Sequence, residues 1–381
     1  TNAVPPNTAV DLQRYQDDLA AITPGHQTQL LTPGVIDPHF RNGYIATYTA
    51  GVDQDLGPVK FSAAYVSTAG IHLTSALSPN GYNGADPTFA PFTRFDSAGH
   101  PTGGFGPESV MTNASHSTYH ALQTSVTQSQ SRIGLSFQAS YTFSKSIDDT
   151  SALPGGVPSS GGVVLQTFPQ NPRDLAAEKG PSTFDVTHVF ALSAIQTLPF
   201  DRVSFLHPLS RKLTAGWQIL NITTLTSGSP FTVYSGVQQT GVGAGGTDRP
   251  DLVSAPDFST SRTTREDYFG RGADNSSFFL IPINVPGGTG PNSGRFGTLG
   301  RNTFRGPHFR DFDLAMIKDT PFGRRGKSEL AVLEFRAEFF NIFNVVNFAL
   351  PSNILLGSGF GIISRTAGSS RQIQFSLKLI Y

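Results

Sequence analysis

The sequence predicts an all-β protein, an antiparallel up-and-down transmembrane β-barrel. Three observations carry that expectation. Apolar and polar residues alternate with period two in one segment after another, as strands with two chemically different faces require. Short and long connections alternate between those segments. And 40 Gly with 27 Pro in 381 residues argue against long helices, because both residue types disfavour helix interiors.

The strands follow in chain order. Tyr44, Ala46, Tyr48, Ala50 and Val52 make the apolar face of a strand near 42–54. Val59, Phe61, Ala63 and Tyr65 do so near 58–74, and Leu122, Thr124 and Val126 near 117–129. The clearest case is Leu135, Phe137, Ala139, Tyr141 and Phe143, near 132–145, which alternate with Ser, Gln and Thr. Phe190, Leu192, Ala194 and Leu198 mark 184–198. The segment 213–234, around Trp217, Ile219 and Leu225, is apolar on both faces and has no readable orientation. Phe312, Leu314 and Met316 mark 307–319, and Leu333, Phe335, Ala337 and Phe339 mark 328–344. Ile373, Phe375, Leu377, Leu379 and Tyr381 close the series in 371–381. That makes about nine strands. Residues 1–41 read as a loop region leading into them, with one helix-like stretch from Asp11 to Ile22.

The connections are very short after the first and third strands, moderate after the fifth (199–212) and short after the seventh (320–327). The others, near 75–116, 146–183, 235–306 and 345–370, are long. In an up-and-down sheet this places short turns at one end and long loops at the other, the asymmetry of outer-membrane barrels. It also places the last residue on the short-turn, periplasmic end. The long loops, Gly-rich at 241–250 and 284–294, read as water-facing.

Alternation alone does not separate a soluble sandwich, with its apolar face inward, from a membrane barrel, with its apolar face on lipid. Bulky Phe, Leu and Tyr over four or five successive positions favour lipid. So do Tyr44, Tyr48, Tyr65, Tyr141 and Tyr381 toward strand ends, where amphipathic rings suit a membrane interface. Glu334, Arg336 and Glu338 alternate with apolar residues and share one face. They are candidate lumen- or plug-facing residues, or a structural charge ladder paired with neighbouring strands.

Composition and motifs exclude much else. Lys+Arg 27 balances Asp+Glu 27, with 14% charged residues against roughly 25% in soluble domains, so nucleic acid is not an expected partner. Zero cysteine removes disulfides, thiolate metal sites and a cysteine nucleophile. Gly241, Gly243 and Gly246 satisfy G-x-G-x-x-G, but the Thr-Asp-Arg-Pro that follows blocks the helix a dinucleotide site needs. Gly326, Lys327 and Ser328 imitate the end of a P-loop whose first position is Pro321. His116 and His120 have helical zinc spacing but fall on a strand, where four residues span ~13 Å. Asp148 and Asp149 read as loop-solvating or divalent-ion carboxylates, and Arg173, Asp174 and Glu178 as a local loop-ordering salt bridge. No enzyme and no cofactor are expected.

Several segments together carry a family resemblance. They are STYHALQTSVTQSQSRIGLSFQASYTFSKSIDD (117–149), NPRDLAAEKGPSTFDVTHVFALSAIQTLPF (171–200), GWQILNITTLTSGSPFTV (216–233), FGTLGRNTFRGPHFRDFDLAMIKD (296–319), FRAEFFNIFNVVNF (335–348) and RQIQFSLKLIY (371–381). In order and spacing they resemble the C-terminal part of a TonB-dependent outer-membrane receptor, closest to the Oar-like group with a carboxypeptidase-regulatory-like domain. The resemblance implies that residues 42–381 are the last nine strands of a barrel of about 22 with a plug inside. The plug, the TonB-contacting segment and about 13 strands would then lie outside this chain. It implies outer-membrane lipid, the barrel-assembly machinery, the missing plug and N-terminal strands, TonB through the plug, and an unidentified bulky solute as partners. It also implies that Ile373, Phe375, Leu377, Leu379 and Tyr381 form the C-terminal assembly signal. Deleting 240–300 from the full receptor is expected to weaken solute binding and leave the barrel assembled. The competing expectation is a soluble or surface-attached β-rich adhesin, recognisable by its independence of detergent.

Overall fold

The computed structural model describes residues 34–381 apart from 81–92, 96, 98–100, 105–108, 130, 152–167, 204–208, 241–247, 257–267, 270–276, 286–293 and 326–327. The helix-like stretch at Asp11–Ile22, the triplet Gly241, Gly243 and Gly246, and the Gly326–Lys327 pair lie outside the described residues.

Among the described residues, nine long strands form one antiparallel meander. They are β1 (Tyr44–Leu56), β2 (Val59–Leu77), β3 (Ser109–Gln128), β4 (Leu135–Asp148), β5 (His188–Leu198), β6 (Trp217–Thr226), β7 (Phe309–Arg325), β8 (Ser328–Phe340) and β9 (Gln372–Ile380). Each pairs with its sequence neighbours, from β9 at one edge to β1 at the other, and the sheet is not closed. Gly34–Ile36 adds a short parallel strand to the outer part of β3, and Gly180–Pro181 pairs with the end of β4. β3 begins eight residues before the expected position, because SVMTNASH lacks the alternation that betrays the rest of the strand. β6 stops at Thr226, where Gly228 comes so close to the Gly306 carbonyl that no Cβ would fit.

The turns follow the expected alternation. β1 and β2 join through two residues, with Gly57 at φ 72° in the region that glycine enters at little cost. Tyr381 follows the end of β9, where Ile380 pairs with Val332 near the β7–β8 turn. The final residue therefore lies at the short-turn end.

Cross-strand partners point to the same side of a sheet, so the register sorts every strand. Phe375 faces Ala337, Met316 faces Ala337, and Ile219 faces Met316. Further along, Thr223 faces Leu192, Ala139 faces Leu192, Val126 faces Ala139, and Phe61 faces Val126. All the apolar rows read from the sequence thus fall on a single face. The register also orients β6: Trp217, Ile219 and Leu225 join the apolar face, and Gln218, Leu220 and Ile222 the other. Among the described residues nothing packs over the apolar face, where Tyr48, Phe143, Phe375 and Leu377 are exposed by 68, 49, 66 and 67%. A soluble sandwich would cover such a face with a second layer.

The buried apolar core lies instead in the long connections. Phe231, Val233, Tyr268, Phe269, Phe278 and Phe304 are its centre, with Leu355 and Ile363 from the last connection. We call this assembly at the long-loop end the cap.

Candidate functional site

Two constructions are built on the sheet: a charge ladder on its polar face and the cap at its long-loop end. In the ladder, Glu334, Arg336 and Glu338 of β8 share the face opposite the apolar rows. Arg336 donates from Nε to Glu334 Oε1 at 2.8 Å and lies 3.6 Å from Glu338 Oε1. Both ion pairs run along β8 itself, not across to its neighbours. Asp319 and Lys378 flank Glu334 in the register, Ile317 and Ser376 flank Arg336, and Ala315 and Gln374 flank Glu338. Asp311 and Asp313 continue the same face of β7, so this part of the polar face is acidic.

β8 ends in the run Asn341-Ile342-Phe343-Asn344, and the geometry explains both asparagines. Asn341 and Asn344 take φ 48° and 51°, a left-handed conformation that asparagine tolerates better than other side chains. Asn341 Oδ1 accepts from Val345 N at 2.8 Å, and its Nδ2 donates to Ser369 O at 3.0 Å. Asn344 Oδ1 accepts from Arg371 N at 3.1 Å. The pair thus ends β8 and delivers the chain to β9. On β9, Ile373, Phe375, Leu377 and Leu379 line the apolar face at 52–67% exposure, and Tyr381 stands one residue beyond the strand at 99%.

The cap is held by three arginines of the 227–308 connection, each paired with a carboxylate of the 148–187 region. Arg249 binds Glu178 in a two-point fork at 2.7 and 3.0 Å, both side chains being at most 2% exposed. Its Nε donates to Leu299 O at 2.8 Å. Arg301 pairs with Asp148 and donates to Glu178 O at 2.8 Å, and Arg305 pairs with Asp185. Sequence reasoning misplaced these groups. Glu178 is paired 71 residues away, not with Arg173. Asp174 instead caps the 3-10 turn Leu175–Glu178 by accepting from Ala177 N at 3.2 Å. Asp148 is buried against Arg301 and not solvating a loop, and Asp149 accepts from His116 N at 3.0 Å. The water-facing reading also fails at Asp248, Arg249 and Pro250, which are buried. Arginine fork geometry suits buried carboxylates, but pairing partners across 70 residues leaves no local sequence signal.

Burial raises the Asp248 carboxyl to about 6, despite hydrogen bonds from Thr240 and Gln239. Partial burial also pushes Asp251 upward, but hydrogen bonds from Arg295 and Thr298 together outweigh it and hold the group below the usual carboxylate value. Burial raises the Tyr234 hydroxyl well above its ordinary value. His116 and His120 lie on β3 as expected. His120 Nδ1 meets Tyr65 Oη at 2.8 Å, and His188 Nδ1 meets Tyr141 Oη at the same distance. These Tyr–His pairs sit on the apolar face, as a polar-tipped aromatic belt does.

Residues 2–374 match the family model described as outer membrane beta barrel domain. The chain belongs to this family. The protein is therefore an outer-membrane protein, and the uncovered apolar face of its sheet is the lipid face. Among solved structures it is similar to the crystal structure of the outer membrane transporter YddB from Escherichia coli, at 11% identity and a TM-score of 0.43. That match covers 93% of this chain and 34% of the transporter, so the chain spans about a third of the transporter's length. No curated protein matches.

Proposed function

We propose that the chain is the C-terminal barrel portion of a TonB-dependent outer-membrane receptor of the Oar-like group. In this reading residues 1–41 lead into the barrel and 42–381 supply its last strands. The solute, bulky and scarce, binds at the long-loop end and passes along the lumen when TonB acts on a plug. The observation that carries the reading is the cap. A barrel serving only as an anchor has no need of three Arg–carboxylate clamps, two of them fully buried, and an aromatic core in its loops, whereas a receptor needs a fixed binding surface. The open edges of β1 and β9 add support, since unpaired backbone groups cannot face hydrocarbon and call for further strands. Glu334, Arg336 and Glu338 would then face the plug or the solute path, and the β9 apolar row would be read by the barrel-assembly machinery.

The test is uptake by a knockout of the intact protein. Growth is scored on limiting chelated metal, oligosaccharide or peptide, with and without the TonB motor. The expected result is a defect on one solute class that is equalled by loss of the motor. No defect on any class, or uptake indifferent to the motor, would overturn the proposal.

A further inference from the structure

The polar face of the sheet carries a hollow at the foot of the cap. Tyr119, Gln123 and Thr142 share that face: Gln123 pairs with Thr142 across β3 and β4, while its sequence neighbours Leu122 and Thr124 belong to the apolar rows. Beside them the chain leading into β5 folds against the end of β4. Ser182 N donates to Ser146 O at 3.0 Å, and Ser144 N donates to Thr187 O at 2.9 Å. Ser144 Oγ donates to Val186 O at 3.0 Å, and Ser146 N donates to Asp185 Oδ1 at 2.6 Å. Arg305 of the cap pairs with Asp185. Segment 182–187 is therefore clamped on both sides of Phe184, yet Phe184 itself is 66% exposed. It lines an open hollow of about 290 Å³ together with Tyr119, Gln123 and Thr142.

The chemistry of this lining is narrow. Among the described residues, the side chains of Tyr119, Gln123 and Thr142 make no hydrogen bond and the Phe184 ring has no aromatic partner. A clamped but exposed ring offers apolar contact without the ordering cost of a mobile side chain. Asp185 is the one charged group of the described lining, and Arg305 and the Ser146 amide already occupy it. An ionic solute such as a charged chelate would shed water here without gaining a counter-charge. An extended peptide would find no open strand edge, because β3, β4 and β5 are each paired on both sides. What fits is an uncharged polyol with one apolar face. A sugar ring stacks its C–H groups on an aromatic and exchanges hydrogen bonds with Tyr, Gln and Thr side chains. The volume lies at the lower limit of small-ligand sites, so it suits one ring of a longer chain.

We propose that this hollow is a subsite for one neutral sugar ring of an oligosaccharide. Phe184 is the stacking platform, and Tyr119, Gln123 and Thr142 form the hydrogen-bonding wall. The inference rests on the transport reading for the view that the polar face lines the solute path, and it narrows the solute to an uncharged saccharide.

The experiment uses the intact protein carrying this chain, purified in detergent, labelled, and applied to an array of neutral hexose and pentose oligosaccharides beside uronate- and amine-bearing ones. Affinity for the best neutral chain is then measured by titration calorimetry, and heat-modifiable mobility reports the folded barrel. Neutral chains should bind and charged ones should not. F184A should weaken binding by up to about tenfold, and F184W should restore it. Q123A/T142V should weaken it by up to about tenfold per hydrogen bond lost, with barrel mobility unchanged throughout. No binding of any neutral chain, equal binding of charged chains, or unchanged affinity in both folded F184A and Q123A/T142V would overturn the proposal. The array needs no variant, so misfolding of one does not shield the idea. Binding needs no motor, which separates the two readings. Saccharide binding with uptake indifferent to TonB would sink the transport reading while the sugar site stands. Motor-dependent uptake of another solute class without saccharide binding would sink the sugar site while the transport reading stands.

Discussion

The sheet and the cap handle apolar side chains in opposite ways. On the sheet, Phe375, Leu377 and Tyr48 are more than half exposed, and among the described residues no second layer covers them. In the cap, Val233, Phe269 and Ile363 are fully buried, and Phe269 stacks on Phe360 at 5.2 Å. The polar groups are inverted in step. The sheet's ladder is partly exposed, whereas the cap's Arg249 and Glu178 are sealed from solvent. Each region is folded for its own surroundings: the sheet turns its apolar face to lipid, and the cap buries its apolar side chains within itself. One chain thus needs two rules for what is interior, and composition averaged over both shows neither.

The hardest blow to this contrast falls in the cap. R249M leaves the Glu178 carboxylate buried without its cation, which costs about 3–5 kcal/mol. The double variant R249M/E178M removes both charges and should recover most of that loss. Limited proteolysis of the cap, with heat-modifiable mobility as the reading of the barrel, distinguishes them. The single variant should release the cap and spare the sheet. An unaltered cap in R249M would mean that the aromatic cluster alone holds it.

The lipid face is probed by two neighbours at one depth. Leu192 and Ser193 lie midway along β5, facing Ala139 and Gln138 of β4 on opposite sides. L192K should destabilise the folded barrel by about 2–4 kcal/mol, while S193K, turned to the polar face, should cost little. Equal effects in denaturant titrations from lipid vesicles would refute the assignment of faces.

How much was readable in advance follows from the same contrast. The period-two rows were legible because lipid selects bulky apolar residues at every second position, and the register later placed all of them on one side. β6 was not, because Leu220 and Ile222 put apolar groups on the polar face too. Among the site residues, Glu334, Arg336 and Glu338 were readable as a set, being local. The cap was opaque. Arg301 and Asp148 are 153 residues apart, and Asp248–Pro250 sit in a Gly-rich stretch that looks like solvent-facing loop. Asn341 and Asn344 lay within a segment that carried the family resemblance, but their left-handed backbone and their hold on Val345 and Arg371 needed coordinates.

Acidity should tighten the cap before it loosens it. Asp248 is raised to about 6 by burial, so the folded cap binds that proton more tightly than the unfolded chain, whose carboxyl titrates near ~4. The stabilisation is full below ~4 and is lost as pH rises through about 6, amounting to about 3 kcal/mol across that window. Asp251 acts the other way. Its lowered value gives stability that is present at neutral pH and lost only as pH falls below the ordinary carboxylate range. Hydrogen exchange at the Thr240 amide, which donates to Asp248 at 2.9 Å, should slow beyond the intrinsic pH effect between pH 6.5 and ~4.5. D248N should abolish that excess. An excess that persists in D248N would assign the titration elsewhere.

The smallest stability change is expected on the polar-face ladder, and it is the most informative about function. Arg336 is 37% exposed and its contacts run along its own strand, so R336Q should cost no more than about 1 kcal/mol. Yet it removes the cation that separates Glu334 from Glu338 and leaves Asp319, Asp313 and Asp311 on the same acidic face. If that face docks a plug or guides a solute, uptake should fall by far more than stability, and R336K should restore the charge without the fork. If R336Q leaves both uptake and stability where they were, the three residues are a structural charge ladder on the polar face and nothing more.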